Sequence, residues 1–344
     1  MSVAEKERIQ FIDLAKGICI ILVVSLHIVP SIDEKLVFLP YLRMPLYYCL
    51  SGLFYKDYGS FKNFTLKKVN NILIPFVAWY VIGYAIYYLG RAVAPADHES
   101  LYHFDDIFVR SSFFNIPIWF LLSLFWSNIL FTGINAISKK WVPQLLMIVA
   151  MAGIGLLMSH YEVFNFLYFG VTLSCMPFFF MGYMLKRSAL LYPSSSKKKD
   201  FFIMMGCLIL GMVFALYPET SNRLVYFSNR FEGHFSIFYI TAICLVIGLL
   251  LLTKFINHIP FVSYLGRYSI IVLITHSLLK SIYQPFLSRI VKLDIDPSYL
   301  EVVLLILILA SMLIVIPFCK KYLPYITAQK QIFEKKIPGK LCPR

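Results

Sequence analysis

Long apolar runs separated by short polar segments dominate the chain, and most of them are about twenty residues long, enough for a helix to cross a bilayer. Ten runs can be drawn: 11–30, 40–55, 71–90, 116–137, 142–159, 164–185, 201–217, 235–253, 262–286 and 299–319. Only helices satisfy every backbone group in such runs, and a β-barrel would show shorter, alternating segments. The pattern predicts an all-α, polytopic integral membrane protein with about ten transmembrane helices.

The distribution of charge supports this topology and assigns its orientation. The 344 residues carry a net charge of +14, which in a soluble protein would suggest a nucleic-acid partner. Most of the 32 lysines and arginines, however, fall in alternate segments between the runs. The positive-inside rule then places both termini in the cytoplasm. We therefore expect a lipid bilayer and no nucleic acid as partner, with one membrane domain at 1–320 and a basic cytoplasmic tail at 321–344.

Three ionisable residues share one face of the first predicted span. Residues 8–27 read RIQFIDLAKGICIILVVSLH and include Asp13, Lys16 and His27. At about 100° per residue, Lys16 and His27 point within about 20° of each other, and Asp13 lies about 60° from Lys16. Lys16 and His27 are roughly 16 Å apart along the axis. The face thus carries a charged pair near the cytoplasmic surface and a histidine near the outer one.

A buried charge in the second span is expected at the depth of His27. Arg43 opens the motif RMPLYYCLSGLFY, which is short and interrupted by Pro45 and Gly52, as segments at functional sites of membrane proteins often are. A neutral histidine accepts a proton from a hydroxyl, and a neighbouring arginine stabilises an oxyanion. His27 and Arg43 are therefore the candidate catalytic pair. The alternatives are an interhelical hydrogen bond for His27 and snorkelling to the surface for Arg43.

The cytoplasmic end of the first span has two interpretations. Asp13 and Lys16 form either an i,i+3 ion pair that anchors the helix, or part of a site for an anionic ligand from the cytoplasm. In the second case Arg8, Lys16 and Arg267 would contact phosphate groups.

Three further residues are candidates for acceptor binding or support. Ser51 belongs to the second-span motif. His276 is either a second proton-transfer group or a helix–helix contact. Trp119 fits an interfacial aromatic belt better than a substrate platform.

No metal site is expected. The seven cysteines show no metal-ligand spacing, so we interpret them as small packing residues. The longest outer segment, 91–115, has His98 and His103 among four acidic residues. One interpretation of this segment is a cap that lies over the outer face and binds the acceptor. Its histidines belong either to a metal site or, as we favour, to a solvated acidic loop.

Five segments, in order along nearly the whole chain, resemble the membrane acyltransferase 3 family, and within it the fucose 4-O-acetylase-like branch of bacterial surface-polysaccharide acetyltransferases. The first two segments together are fairly specific to the family, whereas each of the other three is a weak signal by itself. They are RIQFIDLAKGICIILVVSLH, RMPLYYCLSGLFY, IWFLLSLFW, MPFFFMGYMLKR and LGRYSIIVLITHSLL.

The resemblance implies acyl transfer, usually of acetyl from acetyl-CoA, to a sugar hydroxyl of a cell-surface polysaccharide or its lipid-linked precursor. It also implies a bacterial cytoplasmic membrane, with polysaccharide-assembly proteins as possible partners. In the family the first-span histidine is the presumed catalytic residue, which matches His27. The charged pair matches Asp13 and Lys16, and the second-span arginine matches Arg43. Some members have arginine at the position of Lys16. Lysine keeps the positive charge but cannot form the bidentate hydrogen bonds to phosphate that arginine forms.

Two other functions remain open at this point. A transporter or flippase would also have ten spans, broken helices and a polar stripe, although no repeat relates the two halves of the chain. A structural subunit of a polysaccharide-assembly complex would not need an intramembrane histidine and arginine.

Overall fold

The computed structural model describes residues 3–29, 32–93, 102–109, 113–191, 196–217, 223–290 and 297–333. The helices are α1 (Val3–Ile28), α2 (Ile32–Lys35), α3 (Leu39–Leu53), α4 (Phe61–Lys68), α5 (Ile74–Val93), α6 (Asp106–Val109), α7 (Trp119–Ile137), α8 (Trp141–His160), α9 (Phe169–Arg187), α10 (Lys197–Ala215), α11 (Phe235–Ile256), α12 (Pro260–Arg267), α13 (Ser269–Ile290) and α14 (Pro297–Tyr322). A π-helical turn, Val69–Leu73, joins α4 to α5. The strands β1 (Arg223–Val225) and β2 (Arg230–Glu232) pair antiparallel.

Within the described residues, eight helical segments are long and apolar enough to cross a membrane, which confirms the all-α polytopic membrane class. They are Gln10–Ile28, Phe61–Ala92, Ile116–Ile137, Trp141–His160, Phe166–Arg187, Phe235–Ile256, Ser269–Leu287 and Tyr299–Tyr322. Two predicted spans fall outside this set. Helix α3 has only 15 residues, and α10 begins with three lysines and Asp200. The count of ten spans and the cytoplasmic termini stay predictions.

Helix α1 is central to the fold, because α3, α11, α12, α13 and α14 all pack against it. Its closest neighbour is α12, and two glycines permit that approach. A Cβ atom on Gly17 would lie 1.9 Å from the carbonyl oxygen of Val262, and one on Gly266 would lie 1.8 Å from that of Asp13. The two backbones are therefore in direct contact at the Asp13 end of α1.

A second glycine crossing holds α3 against α9. A Cβ atom on Gly52 or on Gly182 would lie 1.8 Å from a carbonyl oxygen of the opposite helix. No larger residue fits at either position unless the helices separate. This crossing fixes the helix that carries Arg43, Tyr47 and Ser51.

The described part of the predicted tail is residues 321–333; it leaves α14 after Tyr322 and packs against the start of the third apolar segment. The Asn70 side-chain oxygen accepts from the backbone N–H groups of Ile332 (2.9 Å) and Phe333 (3.0 Å). The Trp79 indole N–H donates to the Ile326 carbonyl oxygen at 2.9 Å. This part of the tail is thus docked on the helix bundle.

The short hairpin of β1 and β2 is the element that the apolar pattern did not predict. Leu224 pairs with Phe231 in its register and is buried. The Tyr226 hydroxyl donates to the Pro40 carbonyl oxygen at 3.0 Å, which fastens the hairpin to the start of α3. Strands of three residues with mixed polarity are too short to produce a readable alternation.

Candidate active site

A cavity of about 340 Å³, here called the outer cavity, lies at the His27 end of α1. His27 and Arg43 both line it, so the structure brings the two predicted catalytic residues together. Trp119 from α7 and Arg223 from β1 line it as well. With Leu273 from α13, the described lining brings five separate segments of the chain to one site.

Contacts from α13 and α1 hold the candidate catalytic pair in place. The Lys280 ammonium donates to the backbone carbonyl of His27 at 2.6 Å. The rings of His27 and His276 are 5.3 Å apart between centroids and inclined by 38°. Arg43 is only 4% exposed, and the thiol of Cys19 donates to its carbonyl oxygen at 2.9 Å. The burial of Arg43 argues against snorkelling to the surface.

His276 supports His27 from behind and does not line the outer cavity. It is fully buried, and its Nδ1 lies 2.9 Å from the Val272 carbonyl oxygen. A carbonyl only accepts, so Nδ1 carries the proton and, in the neutral ring, Nε2 is an acceptor. Among the described residues Nε2 has no hydrogen-bond partner. His276 thus carries an acceptor atom without a hydrogen-bond partner among the described residues, on a ring that neighbours the His27 ring.

Trp119 forms part of the wall of the outer cavity and not of an interfacial belt. It is 7% exposed and stacks on Tyr226, with centroids 6.3 Å apart and planes inclined by 22°. The hairpin lines the cavity from Arg223 through to Phe227 and forms its roof. Sequence reasoning missed this roof, because its residues are distant in the chain from every motif.

A second cavity of about 230 Å³, here called the inner cavity, lies beside Lys16, closer to the N-terminus of α1. Lys16, Ser51, Asn71 and Ser269 supply its polar lining. The Lys16 ammonium lies 4.2 Å from the centroid of the Phe54 ring. Ser51 accepts a hydrogen bond from the Asn128 amide at 3.1 Å. Because it lines the inner cavity, it lies at the Lys16 end of the site, away from His27.

The two cavities adjoin each other. Tyr47, Phe120 and Leu273 line both of them. The Tyr47 hydroxyl lies 3.5 Å from the Lys16 carbonyl oxygen and donates to it, which links α3 to α1 at the junction. One face of α1 therefore borders both cavities, from Lys16 in the inner one to His27 in the outer one.

Asp13 pairs with Arg267 and lines neither cavity. Arg267 Nε lies 3.3 Å from Asp13 Oδ2, and the two side chains are 61% and 8% exposed. Among the described residues no ion pair within 4.0 Å joins Asp13 to Lys16. The side chain of Arg8 lies outside the described residues. Of the four predicted donor contacts, only Lys16 is among the described residues that line the inner or the outer cavity.

The described part of the predicted outer cap packs on α5. The hydroxyls of Tyr80 and Tyr84 donate to the carbonyl oxygens of Phe104 (2.6 Å) and His103 (2.5 Å). Residues 102–109 line neither cavity. His98 lies outside the described residues, which contain no group of three or more potential metal ligands.

Comparison with known proteins identifies one match. A family model described as an acyltransferase domain (acyltransferase 3) matches residues 9–319, a range that includes both cavities and every helix from α2 to α13. No curated protein matches the chain. No solved structure matches it either.

Proposed function

Since the chain belongs to the acyltransferase 3 family and is a membrane acyltransferase, we propose that it moves an acetyl group from acetyl-CoA to a sugar hydroxyl. The proposed acceptor is a cell-surface polysaccharide or its lipid-linked precursor. The protein would work in the bacterial cytoplasmic membrane, beside proteins that assemble the polysaccharide. Neither a metal nor a nucleic acid takes part in the proposed reaction.

The observation that carries this proposal is the pair of adjoining cavities along α1. A transfer between two substrates needs two sites that meet at the reacting atoms. Lys16 borders the inner cavity, whereas His27 and Arg43 border the outer one. The roughly 16 Å between Lys16 and His27 is comparable to the reach of an extended pantetheine arm. Acetyl-CoA phosphates at the Lys16 end would leave the thioester near His27.

The outer cavity has the groups that such a transfer requires. A neutral His27 imidazole takes the proton of the acceptor hydroxyl while that oxygen attacks the thioester carbonyl carbon. The Arg43 guanidinium stabilises the oxyanion that forms, and burial strengthens this interaction. The C–S bond then breaks, and the CoA thiolate takes the proton from His27. In a variant of this route His27 itself is transiently acetylated.

The test uses purified full-length protein in lipid nanodiscs. The acceptor is a glycan and lipid fraction extracted from a strain that lacks the protein. With labelled acetyl-CoA we expect label in the acceptor and release of CoA, and we expect neither from a His27→Ala variant that still unfolds at the wild-type temperature. Transfer by the His27→Ala variant at the wild-type rate would contradict the catalytic assignment.

A transporter or flippase uses connected cavities too, so the same geometry leaves it as the second candidate. A transporter, unlike the transferase, does not need an acetyl donor. Movement of the acceptor across the membrane of protein-containing vesicles, without acetyl-CoA and without acetylation, would support transport. Thermal stabilisation of the protein by CoA would support the transferase.

A further inference from the structure

The roof of the outer cavity adds a second guanidinium group to the site. Arg43 lines the cavity from α3, and Arg223 lines it from β1. The described residues that line this cavity include no aspartate or glutamate. A ligand in the outer cavity would therefore meet guanidinium groups from two different elements.

One carboxylate on the hairpin is shared by two arginines. Arg223 Nε lies 2.6 Å from Glu232 Oε2, and Arg230 Nη2 lies 2.9 Å from Glu232 Oε1. The hydrogen bond from Arg223, and then that from Arg230, lower the pKa of Glu232, so it is a carboxylate at neutral pH. One negative charge faces two positive ones, and the hairpin keeps a net positive charge.

The bond to Glu232 orients Arg223 without using all of its donors. A guanidinium has five N–H groups in a fixed fork, and this ion pair accounts for one of them. The side chain of Arg223 is 45% exposed. The strand register, in which Arg223 lies opposite Glu232, thus fixes the position of the Arg223 side chain. Its remaining N–H groups are available to a ligand in the cavity.

The remaining lining suits a ring with apolar faces. Trp119 and Tyr226, whose rings stack at a centroid distance of 6.3 Å, both line the cavity. Flat aromatic surfaces and a few fixed polar groups are the usual composition of a small-molecule site. A sugar ring against these side chains would lie between His27 and the roof.

From this arrangement we propose that the acceptor carries a negative charge, a carboxylate or a phosphate, and that Arg223 selects it. The inference rests on the proposed function and adds the chemical class of the acceptor. Arginine binds both anions through paired N–H donors. The donor phosphates are less suited to Arg223, because Lys16 provides a cation at the inner cavity, the other end of the site.

The same hairpin offers a matched control. Arg230 pairs with the same Glu232 but does not line the outer cavity. It borders an open groove between α8 and β2 instead. Arg223→Gln and Arg230→Gln therefore each remove one positive charge that pairs with Glu232, but only Arg223→Gln changes the lining of the outer cavity.

The experiment measures KM for three forms of the acceptor fraction extracted from the deletion strain: untreated, carboxyl-reduced and dephosphorylated. For the wild-type protein we expect one of the two treatments to raise the acceptor KM about tenfold, the loss of one charge-assisted contact. The treatment that does so identifies a carboxylate or a phosphate. Arg223→Gln should raise KM by a similar factor with the untreated fraction and be insensitive to the treatment, whereas Arg230→Gln should behave as wild type.

Each other outcome has a defined meaning. Absence of transfer to the untreated fraction by the wild-type protein would overturn the proposed function. Transfer with the same KM for all three fractions would overturn only the anionic acceptor, as would a rise in the acetyl-CoA KM in Arg223→Gln with no change for the acceptor. The wild-type series decides the question even if Arg223→Gln does not fold.

Discussion

The outer and inner cavities border the same helix but differ in their chemistry. The outer one has a histidine, two arginines and an aromatic wall, under a roof from a distant part of the chain. The inner one has a single lysine among hydroxyl, amide and apolar side chains. The outer cavity can move a proton and stabilise charge, whereas the inner one can only hold an anion. In the proposed function, the chemistry therefore takes place at the His27 end of α1 and the donor binds at the Lys16 end.

The largest effect is expected from His27→Ala, which should lower kcat about 10²- to 10⁴-fold because it removes the proton acceptor. Binding of acetyl-CoA should change little, since the inner cavity is intact. Steady-state kinetics and a CoA titration measure the two quantities separately. His258→Ala is the control, because His258 is exposed and borders neither cavity. Loss of CoA binding in His27→Ala would show that the inner and outer cavities do not act independently.

Arg43→Gln should lower kcat about 10²- to 10³-fold, the usual cost of removing one oxyanion contact. Arg43→Lys should recover part of the rate, because lysine keeps the charge without the planar fork. The kcat values of both variants are compared with Arg91→Gln, which changes an arginine that lines neither cavity. An increase in acceptor KM at unchanged kcat would instead assign Arg43 to acceptor binding.

Gly266→Ala should lower the free energy of unfolding by about 1–3 kcal/mol, since it forces two backbones apart. Its Cβ atom would lie 1.8 Å from the Asp13 carbonyl oxygen. Denaturation in detergent measures the loss. Gly133→Ala is the control, because no atom lies within 4 Å of the added carbon. The acetyl-CoA KM of Gly266→Ala should rise while the acceptor KM does not, because the crossing is at the inner end of α1.

Lys16→Met should raise the acetyl-CoA KM about tenfold with little change in kcat, because a single ammonium contact is lost. Lys16→Arg should stay close to wild type. The difference in acetyl-CoA KM between Lys16→Met and the wild-type protein should be smaller at high salt, since added ions screen the ammonium. Lys35→Met, which changes an exposed lysine in α2, controls for the loss of a surface charge. A fall in kcat alone would remove Lys16 from the donor site.

The sequence predicted more of the fold than of the site. Apolar runs of about twenty residues identified the membrane helices, because the bilayer imposes their length. Two predicted spans do not meet the same criteria: α3 is too short, and α10, which packs on α11, begins with four charged residues. The three-residue strands gave no periodic signal at all.

By itself the sequence determined which residues of α1 share a face, because helical periodicity is local. Lys16 and His27 do border adjoining cavities, as that periodicity predicts. Only the tertiary structure decided the partners of these residues: Arg267 for Asp13, His276 beside His27, and the hairpin over Arg43. Those partners depend on where distant helices cross, and backbone contact at Gly17 and Gly266 is possible only once both helices have formed.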